Sequence, residues 1–129
     1  MSQLHFFTGE GVFALREERR TWINRFTEKH GQENLLVVPG NTVTYRALLD
    51  EVTIAPFIGG KRLVVIDGVP KFTKEEVEAL PVQLHPDCLI LMCDAKPDKR
   101  LGAVKALHTV ATVKEFTPLE GVPLKAWLQ

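Results

Sequence analysis

Residues 4–18, LHFFTGEGVFALREE, give the first indication of the fold. An apolar run leads through a turn flanked by Gly9 and Gly11 into the start of a helix. In α/β proteins a strand, a glycine turn and a helix in this order are where a phosphate-binding loop lies, because glycines let the backbone approach an anion and the helix N-terminus attracts it. The stretch therefore predicts an α/β domain and raises the question of whether it holds a nucleotide.

The residues that would bind a phosphate are missing from this turn. A phosphate-binding loop follows the pattern GxxxxGK[ST], in which the lysine and the hydroxyl reach the phosphates and the magnesium ion. After Gly9, the positions of the second glycine, the lysine and the hydroxyl are taken by ALR, residues 14–16. Glu10 adds a negative charge that repels phosphate. We therefore expect no nucleotide and no other cofactor here.

Five short apolar runs recur along the chain and predict a five-stranded sheet. They cover residues 4–8, 35–38, 63–66, 88–93 and 110–116. The first four are almost continuously hydrophobic, which is typical of strands buried on both faces of a parallel sheet. Helical patterns fill the gaps between the runs, so the chain is expected to be a three-layer α/β domain with a mostly parallel sheet and helices on both faces.

Local signals predict where two of the helices begin and end. Thr73 and Glu76 have the spacing of a capping box, so the third helix is expected to begin there. Pro81 is expected to end it, since proline breaks the helical hydrogen-bond pattern. The fourth helix is expected over residues 98–107, with Leu101 facing inward.

Composition excludes some classes of partner. Sixteen basic and sixteen acidic residues cancel, so no overall field favours nucleic acid or an anionic membrane. No apolar stretch approaches the roughly 20 residues that span a bilayer, and the N-terminus lacks the layout of a signal peptide. A cytoplasmic protein without a membrane partner is expected.

Cysteines and histidines give no indication of a metal site. Cys88 and Cys93 lie five positions apart, so on a strand they point to opposite faces and cannot form a disulfide with each other. Buried, unreactive thiols are expected. The four histidines are scattered without a spacing that suits metal ligands.

Two aspartates leave a signalling alternative open. Asp67 and Asp94 end neighbouring strands of the predicted sheet, where a receiver-like domain would carry its phosphoacceptor pocket. The competing interpretation is that both are ordinary turn residues, because aspartate is common in turns. A nucleotide- or phosphate-handling α/β enzyme is the other alternative function.

Taken in order, four segments resemble the N-terminal domain of the delta subunit of the bacterial DNA polymerase III clamp loader. These are FFTGEGVFALREE near the N-terminus, LLDEVTIAPFIGGKRLVVI at residues 48–66, DKR at residues 98–100, and VKEFTPLEGVPLKAWLQ at the C-terminus. The resemblance extends over nearly the whole chain. It rests on the order and spacing of the segments together.

This resemblance implies an AAA+-like fold whose ATP site has decayed, in agreement with the broken phosphate loop. In the family, delta binds the beta sliding clamp and helps to open it, while related subunits hydrolyse ATP. The implied partners are the clamp and the gamma/tau and delta prime subunits, with primed DNA reached through the assembled loader. No catalysis is expected. Residues 1–129 would be one domain of a longer chain, with residues 118–129 beginning a helix toward the next domain.

The resemblance also implies a binding site. The clamp-binding element of the family is an apolar pair at the end of the helix before the third strand, which corresponds here to Pro56 and Phe57. Ile54 and Ile58 extend this cluster, and the glycines after it stop any helix. The structural alternative is that both isoleucines fold back onto the core and the phenylalanine covers the sheet edge.

Overall fold

In the computed structural model, residues 3–56 and 60–118 are described and form a parallel sheet with helices on both faces. The strands are β1 (Leu4–Thr8), β2 (Leu35–Pro39), β3 (Arg62–Asp67), β4 (Cys88–Asp94) and β5 (Thr112–Glu115). The helices are α1 (Val12–His30), α2 (Tyr45–Val52), α3 (Lys74–Gln83) and α4 (Gly102–Val110), with a 3₁₀ turn at Gln32–Asn34. The strand order is β2-β3-β4-β1-β5, and every pairing is parallel. The predicted fold class is confirmed.

Two hydrophobic clusters lie on the two sides of the sheet. On one side α1 packs on the strands through Leu15 and Phe26, which share a buried cluster with Phe7, Val65 and Leu91. On the other side α2, α3 and α4 contribute Leu48, Val52, Val77, Leu80, Ala103 and Leu107 to a cluster with Phe6, Val64, Ile66, Ile90 and Met92. Each central strand contributes residues to both clusters, because successive side chains point to opposite faces of the sheet.

The second apolar run differs from the prediction of burial on both faces. β3 and β4 are central and almost completely buried, but β2 lies at the edge of the sheet. Val37 of β2 is 43% exposed. An edge strand has a neighbour on one side only, so hydrophobicity alone does not distinguish it from a central strand.

The third helix begins as predicted but continues past its proline. The Thr73 hydroxyl accepts from the Glu76 amide at 3.0 Å, and the Glu76 carboxylate accepts from the Thr73 amide at 2.9 Å. Pro81 lies inside the helix, which ends at Gln83. The prediction that Pro81 ends the helix is therefore wrong. The proline falls in the last turn, and the helical bond from the Leu84 amide to the Leu80 carbonyl, at 3.2 Å, still forms beyond it.

The fourth helix begins later than predicted, and Leu101 does not face inward. Asp98 accepts from the Arg100 amide and guanidinium, each at 3.0 Å, and its carbonyl accepts from the Leu101 amide. This turn holds residues 98–101 outside the helix, so Leu101 becomes the N-cap residue and is 38% exposed. The helix then extends to Val110, which the apolar pattern had placed in the fifth strand.

Within residues 3–56 and 60–118, no helix combines the length and the apolar character needed to cross a membrane. The helix expected over residues 118–129 falls outside the described residues from position 119 onward.

Candidate functional site

The two sequence features singled out above lie at opposite edges of the sheet. All strands are parallel, so their carboxyl ends meet at one edge, where the turn of residues 9–11 follows β1. The described residues of the apolar segment between α2 and β3, residues 53–56 and 60–61, lie at the edge formed by the amino ends of the strands. A six-residue strand such as β3 is about 20 Å long. The glycine turn and the apolar segment are therefore separate sites.

Backbone of the chain itself fills the glycine turn. The Gly11 amide donates to the Phe116 carbonyl at 3.0 Å, and the Gly9 amide donates to the Ala95 carbonyl at 3.3 Å. A Cβ added to Gly9 would lie 2.2 Å from the Phe116 oxygen, and one added to Gly11 would lie 2.2 Å from the Thr117 oxygen. The amides that face the anion in a phosphate-binding loop are thus used within the protein.

Each aspartate at the carboxyl edge has its own structural partner. Asp67 forms a bidentate ion pair with Arg19 at 2.9 and 2.8 Å. Asp94 accepts from the Val69 and Lys96 amides at 3.0 and 3.2 Å. Among the described residues, no group of acidic, histidine or cysteine side chains could hold a metal ion.

Strand order separates this fold from a receiver domain. Receiver domains have the order 2-1-3-4-5, in which β1 lies between β2 and β3. Here β1 lies between β4 and β5. Together with the contacts of Asp67 and Asp94, this order favours turn roles for the two aspartates over a phosphoacceptor pocket.

The two cysteines lie on opposite faces of β4, as predicted, and both thiols are buried. Burial raises the pKa of Cys88 and raises the pKa of Cys93 to about 12. A thiol that stays protonated at neutral pH is a poor nucleophile, so both cysteines serve as packing residues.

At the amino edge, the start of the apolar segment is exposed. Ile54 is 64% exposed and does not fold back onto the core. Pro56 is partly buried. Phe57 and Ile58 lie outside the described residues. The fold-back alternative is therefore wrong for Ile54.

The segment leaves α2 from a fixed base. Thr53 closes the helix, because its amide and its hydroxyl donate to the Leu49 carbonyl at 3.0 and 2.7 Å. The preceding carbonyl, of Val52, accepts from the His85 amide at 2.8 Å. These bonds tie the end of α2 to the turn before β4. The exposed Ile54 therefore follows directly after a helix end that is held in place by hydrogen bonds.

Comparison with known proteins identifies the family. The sequence model of DNA polymerase III, delta subunit, matches residues 5–117. The chain belongs to the DNA polymerase III delta subunit family. The family to which the sequence segments pointed is thereby confirmed.

One solved structure similar to this delta-family chain is the DNA clamp loader delta protein of Bacillus subtilis. The two share 18% sequence identity with a TM-score of 0.69, and the match covers 89% of this chain and 38% of that protein. The agreement shows a common fold. The delta-family chain spans well under half the length of that relative. No curated protein sequence matches it significantly.

Sequence patterns missed the residues that hold the far side of the apolar segment in the delta-family chain. The Gly60 backbone and the Lys61 amide lie against His30, and Lys61 also pairs with Asp87 at 3.5 Å. Arg62 pairs with Glu51 at 3.0 Å. These partners are distant in sequence. The one local signal was the glycine after His30, which marks the end of a helix.

Proposed function

We propose that residues 1–129 form the N-terminal, AAA+-like domain of a longer delta subunit, and that this domain binds the beta sliding clamp. In this role the domain helps to open the ring so that the clamp loader can place it on primed DNA during replication. The domain performs no catalysis itself. Other parts of the subunit assemble with the gamma/tau and delta prime subunits, and DNA is reached through the assembled loader.

The observation that supports this proposal most directly is the exposed Ile54 on its anchored base, followed by more apolar residues. In the sequence, Ile54, Pro56, Phe57 and Ile58 form an almost continuous apolar stretch. Burying a large apolar side chain is worth about 1.5–3 kcal/mol, and an aromatic anchor at an interface about 2 kcal/mol or more. A partner with a hydrophobic pocket would gain this energy on docking.

Support for a non-catalytic role comes from the opposite edge. The Gly9 and Gly11 amides donate to carbonyls of the chain, and a backbone segment lies where phosphate would approach. The lysine that would neutralise the phosphates is absent from the sequence. These features favour a binding module over a nucleotide-handling enzyme.

Affinity for the cognate sliding clamp tests the proposal. Binding is measured by titration calorimetry for the native chain, for Phe57→Ala, and for Phe13→Ala as a matched control. Phe13 is 66% exposed on α1 near the carboxyl edge, so the same substitution there removes a phenylalanine ring away from the proposed site.

We expect Phe57→Ala to weaken clamp binding by about tenfold or more, which corresponds to an interface anchor. Phe13→Ala should bind like the native chain. Equal affinity of the native chain and Phe57→Ala would refute the assignment of the site. Absence of clamp binding by the native chain would refute the proposed function.

A further inference from the structure

The ring of His30 lies against the backbone that re-enters the sheet after the apolar segment. His30 is the last residue of α1, and its Nδ1 accepts from the Lys61 amide at 3.4 Å. Gly60 has a φ of +97°, and a Cβ added there would lie 3.1 Å from the same Nδ1. The Lys61 amide thus contacts the imidazole ring, and the ring lies where a side chain at residue 60 would be.

The ring itself is fixed by the end of α1. It packs on the Phe26 ring with a centroid separation of 4.8 Å, and Phe26 belongs to the buried cluster under α1. The His30 carbonyl accepts from the buried Asn34 side chain at 3.1 Å. The Gly31 amide closes the helix on the Thr27 carbonyl at 2.9 Å. His30 is therefore held on a rigid element and can act as a fixed support.

We propose that His30 is a positioning residue for the backbone of Gly60 and Lys61, which follows the apolar segment: its ring, supported by Phe26, accepts a hydrogen bond from the Lys61 amide and sets the direction in which the chain enters β3. The inference rests on the proposed clamp-binding role and adds to it a residue 31 positions from the loop in sequence. A loop with one end already fixed loses less conformational freedom on binding, so its affinity for the partner is higher.

The contact depends on the protonation state of His30. Only the form without a proton on Nδ1 can accept from the Lys61 amide. Burial lowers the pKa of His30 below 6.5, and the neighbouring charges of Lys29 and Lys61 lower it further. Arg25 lies beside His30 in a surface groove on α1, and Asp87 pairs with the Lys61 ammonium group. The acceptor is present at neutral pH and is lost as the pH falls below that range.

Two substitutions separate the acceptor from the ring. His30→Phe keeps a ring on Phe26 but removes the acceptor, whereas His30→Asn places an amide oxygen near the position of Nδ1 and does not titrate. His108→Asn is the control, because His108 is an exposed histidine of α4 that contacts Phe6 instead of the loop. Each full chain is tested for clamp affinity at about pH 8 and about pH 5.5. The exchange rate of the Lys61 amide is measured in the free chain.

At the higher pH we expect His30→Phe to bind the clamp about fivefold more weakly, with about tenfold faster exchange of the Lys61 amide. His30→Asn should stay within about twofold of the native chain. At the lower pH the native chain and His108→Asn should weaken relative to His30→Asn. The positioning role is overturned if His30→Phe matches the native chain in affinity and exchange while Phe57→Ala still loses binding. If exchange responds as expected but no variant binds the clamp, the proposed function fails, and with it the role in docking.

Discussion

Arg19 and Asp67 form a bidentate ion pair that joins α1 to the carboxyl end of β3, with N–O distances of 2.9 and 2.8 Å. At the other end of the same strand, His30 contacts the backbone just before β3. α1 is thus connected to β3 at both ends. The helix therefore links the edge that carries the glycine turn to the edge that carries the apolar segment.

Removing the ion pair should cost little stability, since both side chains are partly exposed. The exposed fractions are 27% for Arg19 and 45% for Asp67. We expect a double-mutant cycle with Arg19→Ala and Asp67→Ala to give a coupling free energy of about 0.5–1 kcal/mol in urea unfolding. Half-molar salt should reduce it. A coupling energy of zero at low salt would show that the pair does not hold α1 on β3.

A methyl group added at the glycine turn should lower the free energy of unfolding far more than one added at another glycine of similar backbone conformation. Gly9 has a φ of +114°, and its added Cβ would collide with Phe116. Gly68 has a φ of +97° but has no atom within 4 Å of its added Cβ. We expect Gly68→Ala to lower the free energy of unfolding by about 1 kcal/mol, and Gly9→Ala by at least about 3 kcal/mol. Equal losses in chemical denaturation would mean that the segment around residue 116 does not fill the turn.

A single threonine substitution should show how much the capping box of α3 contributes to stability. Thr73→Ala removes the hydroxyl that accepts from the Glu76 amide, and we expect it to reduce the free energy of unfolding by about 1 kcal/mol. Thr109→Ala is the control, because that exposed hydroxyl donates to a carbonyl of its own helix, at 3.4 Å, and caps no helix end. Thermal unfolding followed by circular dichroism makes the comparison. A control that loses as much as Thr73→Ala would argue against a specific cap.

Alkaline pH should destabilise the fold through Cys93. Burial raises the pKa of this thiol from 9.0 to about 12, so the folded chain keeps a proton that the unfolded chain releases. The stabilising effect is complete below pH 9.0 and is lost as the pH rises toward 12. We expect the free energy of unfolding to fall less steeply with alkaline pH in Cys93→Ala than in the native chain. Identical pH slopes would contradict burial of the thiol.

The sequence predicted the parts of the fold that follow from local chemistry. Hydrophobic runs identified the central strands, and the Thr73 and Glu76 pair identified the start of α3. It misplaced the start of α4, because the turn at Asp98 depends on side-chain bonds that compete with the helix. It also treated β2 as fully buried, since sequence hydrophobicity does not reveal position within a sheet.

The candidate site was predictable only in part. The order of residues 54–58 indicated the loop as a candidate site, and the missing lysine argued against a nucleotide site. The support for the loop was not predictable, because His30 and His85 reach it from other elements. The sequence also did not predict that the backbone near Phe116 fills the glycine turn, because more than 100 residues separate the two segments.

Hydrogen exchange of the chain with and without its cognate sliding clamp tests most directly whether the clamp docks at the loop between α2 and β3. We expect the clamp to slow exchange in peptides covering residues 53–61 and to leave peptides covering residues 8–19 unchanged. Protection of the glycine turn and α1 without protection of residues 53–61 would contradict it, because docking would then occur at the opposite edge of the sheet.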